Sequence, residues 1–267
     1  MSWKGLGEET AARVLTGIVG IPIVLALVYV GGAWLLGALA VIATAMLWEY
    51  RRLVASQGSS PHPALLLSAG LAAGGLVATG RDSAVAAAIF AALALDLALA
   101  LSNAPEESLL RRGGALALGA LYIGYPLGLM ARLRALAPWW LAVGFALVWA
   151  NDVLAYVVGV SWGRHRLAPR ISPKKSVEGA VGGLLATAIA AVVLRTEIGL
   201  GVGRAAVLGL AVAAAGLVGD LLESALKREA GIKDSGRLLP GHGGFLDRFD
   251  SALLAFPVYY LLLKVLR

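Results

Sequence analysis

The stretch from Ala205 to Asp250 reads AAVLGLAVAAAGLVGDLLESALKREAGIKDSGRLLPGHGGFLDRFD. It begins as an apolar run long enough to cross a bilayer and ends as a polar island. In the island, which opens at Ser224, the bases Lys227, Arg228, Lys233, Arg237 and Arg248 stand among Glu229, Asp234, Asp247 and Asp250. His242 lies inside a glycine-rich turn. Ionisable groups beside lipid are costly and usually functional. These residue types suit work on phosphates: cations for the oxygens, carboxylates for a divalent metal, glycines for close backbone approach.

The rest of the chain is mostly membrane. Of 267 residues, 59% are hydrophobic and 15% charged, with a mean hydropathy of +0.81, a composition that excludes an ordinary soluble domain. Apolar stretches separated by short polar breaks predict nine helices, over roughly 12–30, 33–50, 64–80, 84–102, 114–131, 138–160, 178–195, 205–226 and 252–266. Stretches this long exclude barrel strands, so the expected fold is all-α, a polytopic membrane helix bundle. The first apolar stretch reads as a span rather than a cleavable leader. We divide the chain into N-terminal transmembrane helices, 1–135, with about five spans, and a C-terminal catalytic region, 136–267, with loops 161–177 and 227–251.

Charge gives an orientation. With nine spans, sixteen Lys and Arg fall on the side of the N-terminus and seven on the other. Cytoplasmic loops carry the excess of bases, so the N-terminus and both polar loops are expected in the cytoplasm, at the plasma (inner) membrane. The net charge of +7 then reads as basic loops facing anionic headgroups, not as a nucleic-acid surface. There is no cysteine, so thiolate metal sites are excluded. Gly124, Gly128, Gly179, Gly182, Gly183, Gly209, Gly216 and Gly219 mark close helix packing and could also serve a homodimer contact. Pro126 is expected to kink its helix.

Three groups of residues carry candidate chemistry. Asp220, Glu223, Ser224 and Lys227 fall at i, i+3, i+4 and i+7 and share one helical face; Asp220 still lies inside the apolar run. A Glu223–Lys227 pair is the structural alternative there. In the second group, Asp247 and Asp250 share a face if the last helix begins nearby, and with Asp220 they make an oxygen cage suited to Mg²⁺ and substrate phosphates. Asp247 could equally be a helix cap. Third, Ser172-Pro173 reads as an N-cap and first helical residue, putting Lys174 and Lys175 at the positive end of a helix dipole, where an anionic ligand would relieve them. Asn151 and Asp152, with Tyr156 a turn away, lie within the sixth span and are expected to face a wet cavity. Asp96 is isolated in the fourth.

The pattern Ser224-x-Leu226-Lys227-Arg228, Lys233-Asp234-Ser235-Gly236, Leu239-Pro240-Gly241-His242-Gly243-Gly244 and Asp247-Arg248-x-Asp250 resembles the signature of the phosphatidate cytidylyltransferases. Upstream, Asn151-Asp152, Ala155-Tyr156, Gly159 and Ile171-Ser172-Pro173-Lys174-Lys175-Ser176-x-Glu178-Gly179 resemble the family too, with Ser176 where members often have Thr. The similarity covers roughly 150–255 in detail.

The resemblance implies a nucleotidyltransferase that joins CTP to phosphatidic acid, giving CDP-diacylglycerol and pyrophosphate with Mg²⁺. It implies Asp220 and Asp247 as metal ligands, with Asp250 nearby or on a second, monovalent or divalent, cation. Lys174, Lys175, Lys227, Arg228, Lys233 and Arg248 would collectively hold the phosphates. Ser172, Ser176 and Glu178 would shape the nucleotide end, and Asn151, Asp152, Asp234, His242, Gly243 and Gly244 would complete the substrate site. Catalysis would fall on Asp220, Asp247, Asp250 and Lys227, and membrane lipids would surround the site. Two other readings share the composition: a CTP-dependent kinase or cytidylyltransferase acting on another lipid, and a cation-coupled transporter using Asp96, Asp152 and Asp220 as a relay.

Overall fold

The computed structural model describes residues 20–58, 61–102, 108–236 and 243–267. The beginning of the expected first span and His242 lie outside the described residues. Helices dominate: α1 (Gly20–Val30), α2 (Gly32–Ala55), α3 (Pro63–Ala78), α4 (Asp82–Ser102), α5 (Leu109–Gly119), α6 (Tyr125–Leu136), α7 (Pro138–Trp162), α8 (Val177–Val193), the single turn α9 (Arg195–Ile198), α10 (Val202–Glu229) and α11 (Leu246–Leu266). A π-helical turn, Ala120–Gly124, joins α5 to α6, so the two form one rod, Leu109–Leu136.

Each expected apolar segment is helical where it is described, and among the described residues six helices are long and apolar enough to cross a membrane. The chain is a multi-pass membrane protein. Pro63–Ala78 and Val177–Val193 are shorter apolar helices; straight along the membrane normal, at 1.5 Å per residue, they are shorter than a hydrocarbon core about 30 Å thick. Of the first segment, Gly20–Val30 is described. Just before Pro126, where a kink is expected, the helix widens into the π turn Ala120–Gly124. Proline has no N–H, and its ring clashes with the carbonyl four residues back; a wider turn accommodates both.

A correction concerns Ser172-Pro173. These residues do not start a helix. They belong to a hairpin of β1 (Arg166–Ala168) and β2 (Ser172–Ser176), antiparallel, with Arg166 opposite Ser176 and Ala168 opposite Ser172. The helix begins at Val177, and its cap is Ser176, whose Oγ accepts from the Gly179 amide at 3.1 Å. Lys174 and Lys175 therefore project from a strand, not from a helix N-terminus.

Small residues bring the helices together. A Cβ on Gly124 would strike the Gly70 backbone, and one on Gly128 would meet Gly74 Cα at 2.9 Å and Val77 Cβ at 2.8 Å. The π turn and α6 thus pack directly on α3. Gly124→Ala should cost about 2 kcal/mol, because the obstructing atoms are backbone and cannot rotate away; thermal unfolding in detergent micelles checks this. The expectation of glycine-mediated packing also holds at α7 and α8, where a Cβ on Gly179 would lie 2.6 Å from Ala155 O and one on Gly183 the same distance from Asn151 Oδ1.

Asp96 acquires a structural role. It is buried, accepts from Arg112 Nε at 2.6 Å and Nη2 at 2.9 Å, and takes the His62 amide at 3.1 Å. A carboxylate satisfied this way ties α4 to α5 and the start of α3, and does not form a relay with Asp152 and Asp220.

Candidate active site

α7, α8, α10 and α11 pack as a group, and the hairpin lies over one end of it. Between them is a cavity of about 700 Å³. Asp152 from α7, Asp220 from α10 and Asp250 from α11 line it, lying within electrostatic reach of one another and of Lys175. The approach is close because a Cβ on Gly219 would strike the Asp250 carbonyl, so α10 and α11 touch at backbone level. Ser251 Oγ reaches Asp152 Oδ1 at 3.4 Å, and Asp250 Oδ1 takes the Ser251 amide at 2.6 Å.

Cations line the other side. Lys175 of β2 forms an ion pair with Asp220. Arg166, Lys174 and Arg248 also line the cavity. Its apolar part includes Tyr156, Val160, Leu167 and Leu217. Tyr156 is 72% and Val160 71% exposed, so this wall is open at the outer face of α7. The cavity therefore brings together cationic side chains, a carboxylate group and exposed apolar side chains.

Beside the cavity lies a second, buried network. Asp247 faces the cavity, but both its oxygens are engaged. Oδ1 accepts from Lys227 Nζ at 2.7 Å; Oδ2 accepts from the Ser235 amide at 3.0 Å, Ser235 Oγ at 2.9 Å and the Gly244 amide at 2.7 Å. Gly243 adopts φ +77, and a Cβ there would come within 2.6 Å of Asp247 Oδ2; this is the position where the turn requires glycine. Lys227 also pairs with Glu223 at 2.6 Å, one turn earlier on α10. The Glu223–Lys227 pair weighed from spacing is thus present, within a larger network.

Glu49, near the C-terminal end of α2, completes this network. It is 1% exposed. Oε2 accepts from Ser235 Oγ at 3.1 Å and the Leu246 amide at 2.9 Å, and Oε1 from the Phe245 amide at 3.1 Å. Sequence reasoning missed it, although a lone acid closing an apolar run is the same signal that drew attention to Asp96. Arg166 was missed as a lining residue as well.

Several of the other expected site residues fall outside the cavity wall. Glu178 accepts from the amides of Arg164 (3.1 Å) and His165 (3.2 Å) and meets His165 Nδ1 at 2.6 Å, fastening the hairpin to α8. Arg228 Nε donates to Ile171 O at 3.2 Å, tying the end of α10 to the hairpin. Lys233 and Asp234 are exposed on the loop after α10. Ser172 is half-buried in β2, Ser176 and Asn151 are buried, and the last two line the cavity. Gly244 is buried against Glu49.

Among the described residues, no three acidic or histidine side chains converge as a ready-made metal cage. The donors nearest to one are Asp152, Asp220 and Asp250, all carboxylates, with an ammonium from Lys175 already on Asp220. Oxygen-only donors with compensating positive charge fit a hard divalent cation.

Residues 11–266 match the model of the cytidylyltransferase family. A phosphatidate cytidylyltransferase of Bacillus subtilis (strain 168) is 41% identical over 157 residues, 57% of this chain and 58% of the relative. One from Staphylococcus saprophyticus is 39% identical over 144 residues, 53% and 55% of the two chains, and one from Staphylococcus haemolyticus 43% over 121 residues, 45% and 46%. The chain spans about half the length of the curated relatives it matches.

Proposed function

The chain belongs to the cytidylyltransferase family, and from that premise we propose that it transfers the cytidylyl group of CTP to phosphatidate, forming CDP-diacylglycerol and releasing pyrophosphate. The observation that carries this reading is the two-sided cavity. Carboxylates and cations meet at one end, and an apolar wall at Tyr156 and Val160 opens toward lipid. A lipid phosphate and a nucleoside triphosphate need both surfaces at once.

The nucleophile is the substrate's own phosphate oxygen, so no side-chain nucleophile is required. That oxygen forms a bond to the α-phosphorus of CTP, and the bond from this phosphorus to the β-phosphate's bridging oxygen breaks. The protein's tasks are to align two anions and offset their repulsion. Lys174, Lys175, Arg166 and Arg248 serve the phosphates. Lys227 and Arg228 act mainly through the elements they tie together, Lys233 and Asp234 act from the exposed loop, and His242, Gly243 and Gly244 complete the substrate site. Ser172, Ser176 and Glu178 shape the nucleotide end through the hairpin, and Asn151 and Asp152 the floor.

Asp220, Asp250 and Asp247 are the carboxylates proposed to hold Mg²⁺, with Asp152 and Asp250 beside a second cation. Bound Mg²⁺ supplies neutralisation of phosphate charge. Lys175 leaves Asp220 for a phosphate oxygen as substrate arrives. The charge bias of the loops supports a cytoplasmic mouth at the plasma membrane, with lipid entering sideways past Tyr156.

Purified protein in detergent, given CTP and dioleoyl phosphatidate with and without Mg²⁺, tests the reading. Mg²⁺-dependent formation of CDP-diacylglycerol and pyrophosphate is expected. Release of CDP with phosphorylation of a lipid alcohol would point to a kinase instead, and no product from folded protein would overturn the assignment.

A further inference from the structure

We propose that Glu49 is a positioning residue for the cavity: it clamps the first turn of α11 so that Asp247, Arg248 and Asp250 are presented where the reaction needs them. The proposal rests on the cytidylyltransferase reading above. It adds a residue from the N-terminal half, far in sequence from the segment that carries the family resemblance.

The geometry is specific. A single carboxylate receives the Phe245 and Leu246 amides, the unpaired donors that open α11, and also the Ser235 hydroxyl. Helix N-termini leave such donors without intrahelical partners, and no side chain of the helix's own N-cap residue, Phe245, satisfies them. A negative charge at this end also complements the helix dipole.

The surroundings are shaped to the carboxylate. A Cβ on Gly236 would come within 2.8 Å of Glu49 Cδ and one on Gly244 within 2.5 Å of Oε1. Gly236 and Gly244 therefore pack against Glu49 with no room for a side chain at either position. Ser235 is shared: its one hydroxyl proton serves both carboxylates, with Oγ 3.1 Å from Glu49 Oε2 and 2.9 Å from Asp247 Oδ2. Glu49 thus reaches Asp247 through one intervening hydroxyl and Asp250 through the helix turn it starts.

A merely structural carboxylate would lower the yield or melting temperature but leave the folded enzyme's turnover intact. A positioning residue acts on the reaction, because displacing catalytic groups by about 1 Å costs about 100-fold. Glu49→Ala and the isosteric Glu49→Gln should be compared with wild type in two ways. Hydrogen exchange followed by mass spectrometry reads the peptide over residues 243–249. Steady-state kinetics with CTP and phosphatidate, normalised to folded protein, reads kcat and KM.

For Glu49→Ala we expect exchange at 243–249 to quicken at least 10-fold, with helices such as α3 unchanged. We expect kcat to fall by about 100-fold while the KM for CTP stays within about threefold. Glu49→Gln keeps one acceptor oxygen and should recover part of both losses; it also serves if the alanine variant does not fold. Unchanged exchange, or faster exchange with normal kcat, would overturn the proposal. If wild type itself makes no CDP-diacylglycerol, the proposed reaction fails instead, and unchanged exchange in the variants would still overturn the clamp on its own.

Discussion

Asp220→Asn should lower CTP turnover about a thousandfold while leaving the amount of folded protein in the membrane unchanged. Two facts separate these effects. Asp220 stands in the cavity with Asp152 and Asp250, and its bonds to the protein are few: an ion pair with Lys175 and a long contact from Ser224 Oγ at 3.4 Å. Its side chain is 29% exposed and that of Lys175 23%, so the lysine released by the substitution can find water. Loss of a partly solvated pair costs at most about 1 kcal/mol. The reaction loses more. One well-placed electrostatic group is worth about 100- to 1,000-fold, and Asp220 serves twice, as a proposed cation ligand and as the group that holds Lys175 ready for phosphate. Initial rates at saturating Mg²⁺, with folded protein measured by size-exclusion chromatography, decide the matter. A rate within tenfold of wild type would remove Asp220 from the proposed ligand set.

The sequence is most legible where physics is local. Spanning stretches of Ala, Leu and Val announce helices because no other backbone arrangement satisfies itself in lipid except a closed barrel, and all nine segments are helical where described. Length is less legible: Pro63–Ala78 and Val177–Val193 are shorter than the six candidate spans among the described residues. At Ser172-Pro173, two cap sites compete four residues apart. The hairpin decides between them, since Val177 N donates to His165 O at 2.9 Å and the strand must end before the helix begins. That outcome depends on a partner strand, which local cap chemistry does not contain.

The site divides in the same way. Asp220, Lys175, Asp250 and Asn151-Asp152 line one cavity; Asp220 and Asn151-Asp152 are legible as polar residues set in apolar runs, and Lys175 and Asp250 as members of two polar loops. The role of Glu49 is not. Its partners Ser235, Phe245 and Leu246 lie 186 to 197 residues away, and no periodicity within α2 encodes them. Asp247 was legible as both a ligand and a cap. It is not the N-cap, which is Phe245; from inside the first turn of α11 it holds the Gly244 amide, and it also faces the cavity.

This double duty makes Asp247 the residue whose loss should be most damaging to the fold. Asp247→Ala should destabilise the protein by about 4 kcal/mol, since removing one partner of a buried ion pair typically costs about 3–5 kcal/mol. The side chain is 5% exposed and its partner Lys227 13%, so water cannot replace the lost oxygens. Lys227 would keep only Glu223, and the Ser235 and Gly244 amides would lose their acceptor. Asparagine does not escape the problem. Oδ1 faces an ammonium and Oδ2 faces two amides and a hydroxyl, so an –NH₂ in either orientation opposes a donor that cannot reverse. Asp247→Asn should therefore lose about 2 kcal/mol as well as turnover, in contrast to Asp220→Asn, which should lose turnover alone. Thermal unfolding of the two asparagine variants side by side in one detergent tests the distinction. Equal melting temperatures would mean that the Lys227–Asp247–Ser235 network contributes little to stability. Asp247 would then act as a cavity carboxylate only.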